Sequence, residues 1–401
     1  MNSVHRFLTI VALFVLSFLG AISAQNGFVE TDLVANKSPL TDANGIVHTP
    51  VVPDPNLVNP WGIGESGGSP FWISDNNAGV ATLYSATATV PVARLALVVS
   101  IPTPGDPLGK SGTPTGLVFN IDGGPTGGFK VSGVDATGKP ATASAVFLFS
   151  TEDGTILGWN PGVNPVGFDP VRDQARKGTF AIIAVDNSTN PDAVNGAVYK
   201  GLAIAKDSAG RTLLYATNFR SGAVEVYDDT FSTPKNPPLP SGAFADPKLK
   251  SGYAPFNVAA LNGKLFVTYA VQDETKHDDL AGQSHGIVDT FNLDGSGQER
   301  FAQHGQLNSP WGVAVAPASF GRFAGDILIG NFGNGHINVY SPDGEFVDKL
   351  RNSNGQAIVI DGLWTLKVGN NGNGGDANKV YFTAGPNGES DGLFGSLSAQ
   401  Q

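Results

Sequence analysis

The stretch NSPWGVAV, residues 308–315, has a counterpart 250 residues upstream in VNPWGIGE, residues 58–65. The chain holds only five tryptophans. Two of them in one Pro-Trp-Gly-aliphatic setting therefore mark an internal repeat, and repeats decide a fold before any motif does. The residues downstream of the two copies agree. NPWGIGESGGSPFWISDNNAGVATLYSA and SPWGVAVAPASFGRFAGDILIGNFGNGHINVYSPDGE both give an alternating segment, a polar turn, an apolar segment ending in Asp or Asn, a glycine turn, and a segment ending in Tyr-Ser. Period-two alternation between glycine and asparagine turns is the pattern of β-strands.

The same grammar recurs in YKGLAIAKDSAGRTLLYATNFRSGAVEVYDDT, in PFNVAALNGKLFVTYAVQD followed by HGIVDTFNLDGSG, and more weakly in PTGLVFN with AVFLFSTEDGTILGWNPG and in DGLWTLKVGNNGNGGDANKVYFTAGPNGESDGLFGSL. That makes six units. The third position of the motif falls at Gly62, Gly116, Gly201, Asn257, Gly312 and Leu363, in steps of 54, 85, 56, 55 and 51 residues. Such units predict an all-β, six-bladed propeller with four strands, A to D, in each blade. The domain spans 25–401, with blade cores starting near 59, 113, 199, 255, 310 and 361. The sixth unit runs out after its C strand, and residues 27–36, GFVETDLVAN, belong to no unit. They are expected to supply the missing D strand and close the ring, because an open ring leaves unpaired strand edges.

The segment ILIGNFGNGHINVYSPDGEFVDKL resembles an NHL-type repeat. The chain as a whole, through VNPWGI, WISDNNAG, GLVFN and TNFRSGAVEVY, resembles an uncharacterised family of secreted propeller proteins. That resemblance implies the fold over nearly the full chain and carries no catalytic residue.

Bulk properties narrow the function classes. Charged residues make up 15% of the chain, against 52 glycines and 27 prolines, a profile of turns and short strands. The net charge of -11 speaks against a nucleic-acid partner, which needs a basic face. Residues 1–24, MNSVHRFLTIVALFVLSFLGAISA, have a basic start, an apolar run over 7–19 and a small-residue exit. They are expected to be a signal peptide cleaved after Ala24. The run is too short for a span of about 20 residues. A secreted or periplasmic monomer without membrane insertion is expected. No cysteine is present, so a sizeable core must supply the stability. Asn36 and Asn187 stand in glycosylation sequons, which chance explains equally well.

Propeller topology places the start of strand A and the B–C loops on one face. The motif's second position should then ring the channel mouth, with Trp61, Thr115, Lys200, Phe256, Trp311 and Gly362. The B–C side adds Asp75, Asn76, Glu152, Asp153, Asn218, Arg220, Gln272, Asp273 and Asn331. Two readings stand. The glycines relieve crowding at the axis and the tryptophans cap the core, or Trp61, Asp75, Asn76, Thr115, Lys200, Asn218, Phe256, Trp311 and Asn331 line a ligand pocket. An aromatic side facing a hydrogen-bonding side suits a sugar.

Other motif matches have plainer explanations. GESGG, residues 64–68, fits the nucleophile elbow G-x-S-x-G but sits in an A–B turn with no helix after it. DGSG and PDGE are C–D turns, and GNNGNGG is a glycine-rich turn rather than a phosphate loop. The one dense chemical cluster is QDETKHDDLAGQSH, in which Asp273, His277, Asp278 and His285 are candidate ligands for Ca²⁺, Zn²⁺ or Mn²⁺, with a plain acidic loop as the alternative.

These features leave two functions. One is a scaffold that binds a small molecule, glycan or protein at the mouth, supported by the lack of a triad, a cofactor fingerprint or a specific metal motif. The other is a calcium-dependent hydrolase, similar to six-bladed lactonases and phosphotriesterases. That similarity implies one metal at the mouth, for which Asp75, Asn218 and Asn331 are on offer, but an early glutamate ligand is missing. A channel plugged by Trp and Phe favours the first function, and a calcium ion held by ring residues favours the second.

Overall fold

The innermost strands Pro60–Gly64, Pro114–Phe119, Tyr199–Lys206, Tyr253–Leu261, Pro310–Val315 and Leu363–Val368 begin six mainly antiparallel sheets arranged as a six-bladed β-propeller. The computed structural model describes residues 27–107, 109, 111–164 and 179–400. The expected signal peptide and residues 165–178 lie outside the described residues.

Each blade is sandwiched between two others, so both faces of its middle strands are covered. Phe71–Asp75, Phe147–Thr151, Ile327–Asn331 and Val380–Ala384 are buried at every position. This explains why these segments read as near-continuous apolar runs rather than clean alternation. The core is accordingly divided into six clusters between successive blades. Trp72 of blade one packs on Phe147 of blade two with ring centres 4.1 Å apart, for example. A seventh cluster lies on the axis.

The glycines of the motif are there for space. A Cβ on Gly62 would lie 2.6 Å from the carbonyl oxygen of Thr115, and one on Gly312 would lie 2.5 Å from that of Trp364. Innermost strands of adjacent blades thus approach backbone to backbone. Where the position carries a side chain, that side chain makes the bridge instead. Asn257 Nδ2 donates to the Trp311 carbonyl at 2.7 Å, and Thr365 Oγ1 donates to the Trp61 carbonyl at 2.7 Å.

Ring closure matches the sequence expectation. Phe28–Ala35 pairs antiparallel with Leu393–Ala399, from Phe28 opposite Ala399 to Ala35 opposite Leu393. Three features depart from it. Blade three has three paired strands, not four. After Tyr227 the chain carries Pro234, Pro237, Pro238 and Pro240, which have no N–H to offer a ladder. The insertion in blade two forms its own hairpin, Lys130–Val134 with Pro140–Ser144. The sixth motif is displaced by two residues. Leu363 pairs with Ala384 as Pro310 pairs with Asn331, so the sixth mouth position is Trp364 and not Gly362.

Candidate functional site at the channel mouth

The corrected register puts a third tryptophan on the axis. Trp61, Trp311, Trp364, Phe256 and Phe219 form one buried cluster in which none of these rings is more than 4% exposed. Trp61 stacks on Trp364 at 3.6 Å between centres, Phe332 stacks on the other side at 3.9 Å, and Trp311 meets Trp61 edge-on at 86°. The rings therefore close the channel. They present no free face to a sugar, contrary to the reading of the mouth as having an aromatic side for one. Beyond the plug the channel holds a cavity of about 600 Å³ lined by the inner strands of all six blades.

Above the plug each blade sends a B–C loop to the mouth, and here the charged groups collect. Lys200, at the motif position of blade three, is buried with its Nζ 5.0 Å from the centre of the Trp61 ring. It forms an ion pair with Glu152 of blade two and donates to Asp278 Oδ1 of blade four at 3.1 Å. His277 Nδ1 lies 2.9 Å from the same Asp278 oxygen, and Asn76 Nδ2 of blade one donates to Glu152 Oε2 at 2.9 Å. Glu389 of blade six accepts from Asn59 Nδ2 at 2.7 Å, and Asn59 Oδ1 in turn accepts the indole N–H of Trp364 at 3.0 Å.

The electrostatics are a consequence of this packing. Burial alone would depress the Lys200 ammonium, but the charges of Glu152 and Asp278 hold its pKa above the ordinary lysine value. The His277 hydrogen bond, with Lys200 adding, keeps the Asp278 carboxyl well below its usual range. The Asp278 hydrogen bond raises His277. Burial, with the like charge of Glu152 adding, pushes Glu389 up to about 7 against the Asn59 hydrogen bond.

The residues singled out in the sequence divide. Trp61, Phe256 and Trp311 are in the plug, and Lys200 and Asn76 are in the charged layer above it. Thr115 is buried and donates to the Tyr199 carbonyl, tying blade two to blade three. The other three are engaged close to home. Asp75 accepts from Thr82, Asn218 binds the Val198 N–H and Glu225, and Asn331 donates to the Gln306 carbonyl.

The proposed metal set does not assemble as one group. Asp273 caps its own loop through the His277 N–H, and His285 turns to the Leu280 carbonyl, because the loop folds on itself. His277 and Asp278 instead approach Glu152, with ligand atoms within 4.8 Å of one another. Lys200 already bonds both carboxylates of that group.

Glu389, Trp364, Phe219 and Phe332 were missed. Aligning GPNGESDG with the other B–C loops would have found Glu389, and shifting the sixth motif by two would have found Trp364.

Fold and mouth together define a six-bladed β-propeller whose channel is closed at one end and topped by a charged layer. The chain is 30% identical over 375 residues to the uncharacterized protein R648 of Acanthamoeba polyphaga mimivirus, spanning 92% of this chain and 80% of that one, and it belongs to the R648 family. A second mimivirus protein, L690, is 29% identical over 349 residues, 87% of this chain and 82% of that one. No family model matches. Among solved structures the fold is similar to virginiamycin B lyase from Staphylococcus aureus, at 10% identity and a TM-score of 0.42 over 92% of this chain and 98% of that one.

Proposed function

We propose that the protein is a binding propeller that takes a small ligand rich in amine or hydroxyl donors at the charged mouth. One observation carries this. Three carboxylates, Glu152, Asp278 and Glu389, gather about a single buried ammonium, and Glu389 is pushed up to about 7. Such a mouth has more acceptors than donors, and an incoming donor or positive charge relieves that imbalance. The aromatic plug supports binding at the surface of the mouth over passage through the channel. It also leaves Asn77, exposed beside Asn59 and Glu389, as a neutral group that orients a polar ligand. A calcium centre has no comparable support, since the Lys200 ammonium lies against the same carboxylates and would repel the ion.

The test is calorimetric titration of the protein with a panel of amino sugars, neutral oligosaccharides and polyamines. Wild type is compared with Asp278→Asn and Glu389→Gln, both substitutions at incompletely buried positions. Binding by wild type that falls at least about tenfold, or 1.4 kcal/mol, in both variants supports the reading. Undiminished binding in both, or no binding across the panel, overturns it.

A further inference from the structure

The side chains of Glu30 and Asp32, two residues apart on the closing strand Phe28–Ala35, share one face of that strand. The small hairpin of Leu40–Thr41 and Val47–His48 lies against them. His48 is enclosed there, with 5% of its side chain exposed, and both ring nitrogens face acid. Nδ1 is 3.0 Å from Asp32 Oδ1 and 3.9 Å from Glu30 Oε1, while Nε2 is 3.7 Å from Asp42 Oδ2. Asp42 is completely buried. Its Oδ1 caps the hairpin turn through the Asn44 and Ile46 N–H groups. Its Oδ2, aimed at the imidazole, has no hydrogen-bond partner, and neither does Glu30 Oε1.

We propose that Glu30, Asp32 and His48 form a binding site for a divalent transition-metal ion of the zinc or manganese type, with Asp42 behind the imidazole as its positioning residue. Imidazole mixed with carboxylate is a donor set for these ions. In a tetrahedral site with bonds of about 2.1 Å, neighbouring ligand atoms stand about 3.4 Å apart. The 3.0 and 3.9 Å separations from Nδ1 bracket that value.

Asp42 gives the tautomer. A carboxylate facing Nε2 favours the proton there, which turns the Nδ1 lone pair towards the other two acids. Three electron-rich atoms then converge, and a cation holds them together. The other partners of the group fit the same role. The Thr49 N–H binds Asp32 Oδ2 at 3.0 Å and leaves Oδ1 for the ion. A shift in strand register after Asp32, where Leu33 is left unpaired, sets how the acid leaves the strand. Because the ligands join the hairpin to the strand that closes the ring, the ion would stabilise closure.

The test uses tag-free protein freed of metal by chelation. Zn²⁺ and Mn²⁺ are titrated by calorimetry and by thermal melting, with Ca²⁺ and Mg²⁺ alongside. One equivalent of Zn²⁺ or Mn²⁺ is expected to bind and raise the melting temperature. His48→Ala should abolish both effects. Glu30→Gln, at a partly exposed position that leaves folding intact, should weaken affinity, and Asp42→Asn should weaken it by about 10–100-fold. Asp278→Asn at the mouth should leave the metal stoichiometry, affinity and metal-induced melting shift as in the parent, which separates this site from Glu152 and His277. Absence of any melting shift with Zn²⁺ and Mn²⁺, or binding unchanged in Glu30→Gln and His48→Ala, would overturn the assignment.

Discussion

The ammonium of Lys200 lies 5.0 Å from the centre of the Trp61 ring, and both residues occupy the same motif position, in blades three and one. The mouth is thus layered. An aromatic plug seals the axis, a single cation rests on it, and acids from other blades close over the cation. A buried charge is costly unless it is paired, so the layer is coherent only while Glu152 and Asp278 remain in place.

Glu152→Gln leaves that ammonium with Asp278 alone, whose side chain is 66% exposed. The expected loss is on the order of 3 kcal/mol, the lower end for breaking a buried pair. Denaturant unfolding of Glu152→Gln, Lys200→Met and the double variant checks it. The double variant should be more stable than Glu152→Gln. Simple additivity of the two single losses would show that the pair is not what holds Lys200.

The plug makes a second prediction. Trp61→Ala and Trp364→Ala each remove a fully buried ring from the axis and should cost about 3–5 kcal/mol, visible as a large drop in the thermal melt. Trp364→Ala also frees the Asn59 oxygen that fixes the neighbour of Glu389. A change below about 1 kcal/mol in both variants would return these residues to the surface.

The sequence made the architecture legible because the Pro-Trp-Gly motif is a backbone device. Gly62 and Gly312 keep their identity for lack of space against the next blade. Asn59 and Ser309, just before the two motif prolines, both take positive φ, and those two copies stand out for the same reason. The sixth copy keeps the positive φ, at Gly362, but not the residues that mark the motif. Thr365 replaces the glycine and Leu363 the proline, so the register slipped by two and Trp364 was lost. The mouth was less legible because position along a strand does not tell whether a ring is free or covered. Trp61 reads as a rim residue until Trp364 and Phe332 are placed against it. The Glu30, Asp32, Asp42 and His48 group was invisible for another reason. Its members belong to no repeat unit and meet only because the closing strand and the hairpin fold together.

Ring closure gives the third prediction. The seven residue pairs between the first and last strands make the N-terminal strand part of blade six, and Phe28 packs against Phe320 of blade five with ring centres 4.9 Å apart. Deletion of residues 25–36 should lower the melting temperature of the whole domain and promote association through the uncovered edge. Light scattering with a thermal melt reads both. A truncated protein that melts with the parent would show that the ring does not depend on this strand.

The last prediction concerns the opposite end of the channel, where Glu65 and Lys367 are the only ionisable groups among the described residues lining the cavity. Glu65 Oε2 is buried without a partner, and Lys367 stands 3.9 Å from the other oxygen. Burial, only partly offset by Lys367, pushes the Glu65 carboxyl from 4.5 up to about 7. The folded state therefore holds this proton more tightly than the unfolded chain does. Stability from this group is complete below about pH 4.5 and is lost as pH rises through 7. Glu65→Gln keeps the shape of the side chain and removes the titration. The advantage of the variant over wild type should grow by on the order of 2 kcal/mol between pH 5 and pH 8, within a ceiling of about 3.5 kcal/mol set by about 1.4 kcal/mol for each tenfold gain in proton affinity. Glu30 and Glu389 also titrate near 7, but both remain in the variant, so the difference between the two stability curves isolates Glu65. Denaturant unfolding at pH 5, 6.5 and 8 measures it. A difference that does not grow with pH would mean that Glu65 is already ionised in the folded protein and that the channel is wet enough to solvate it.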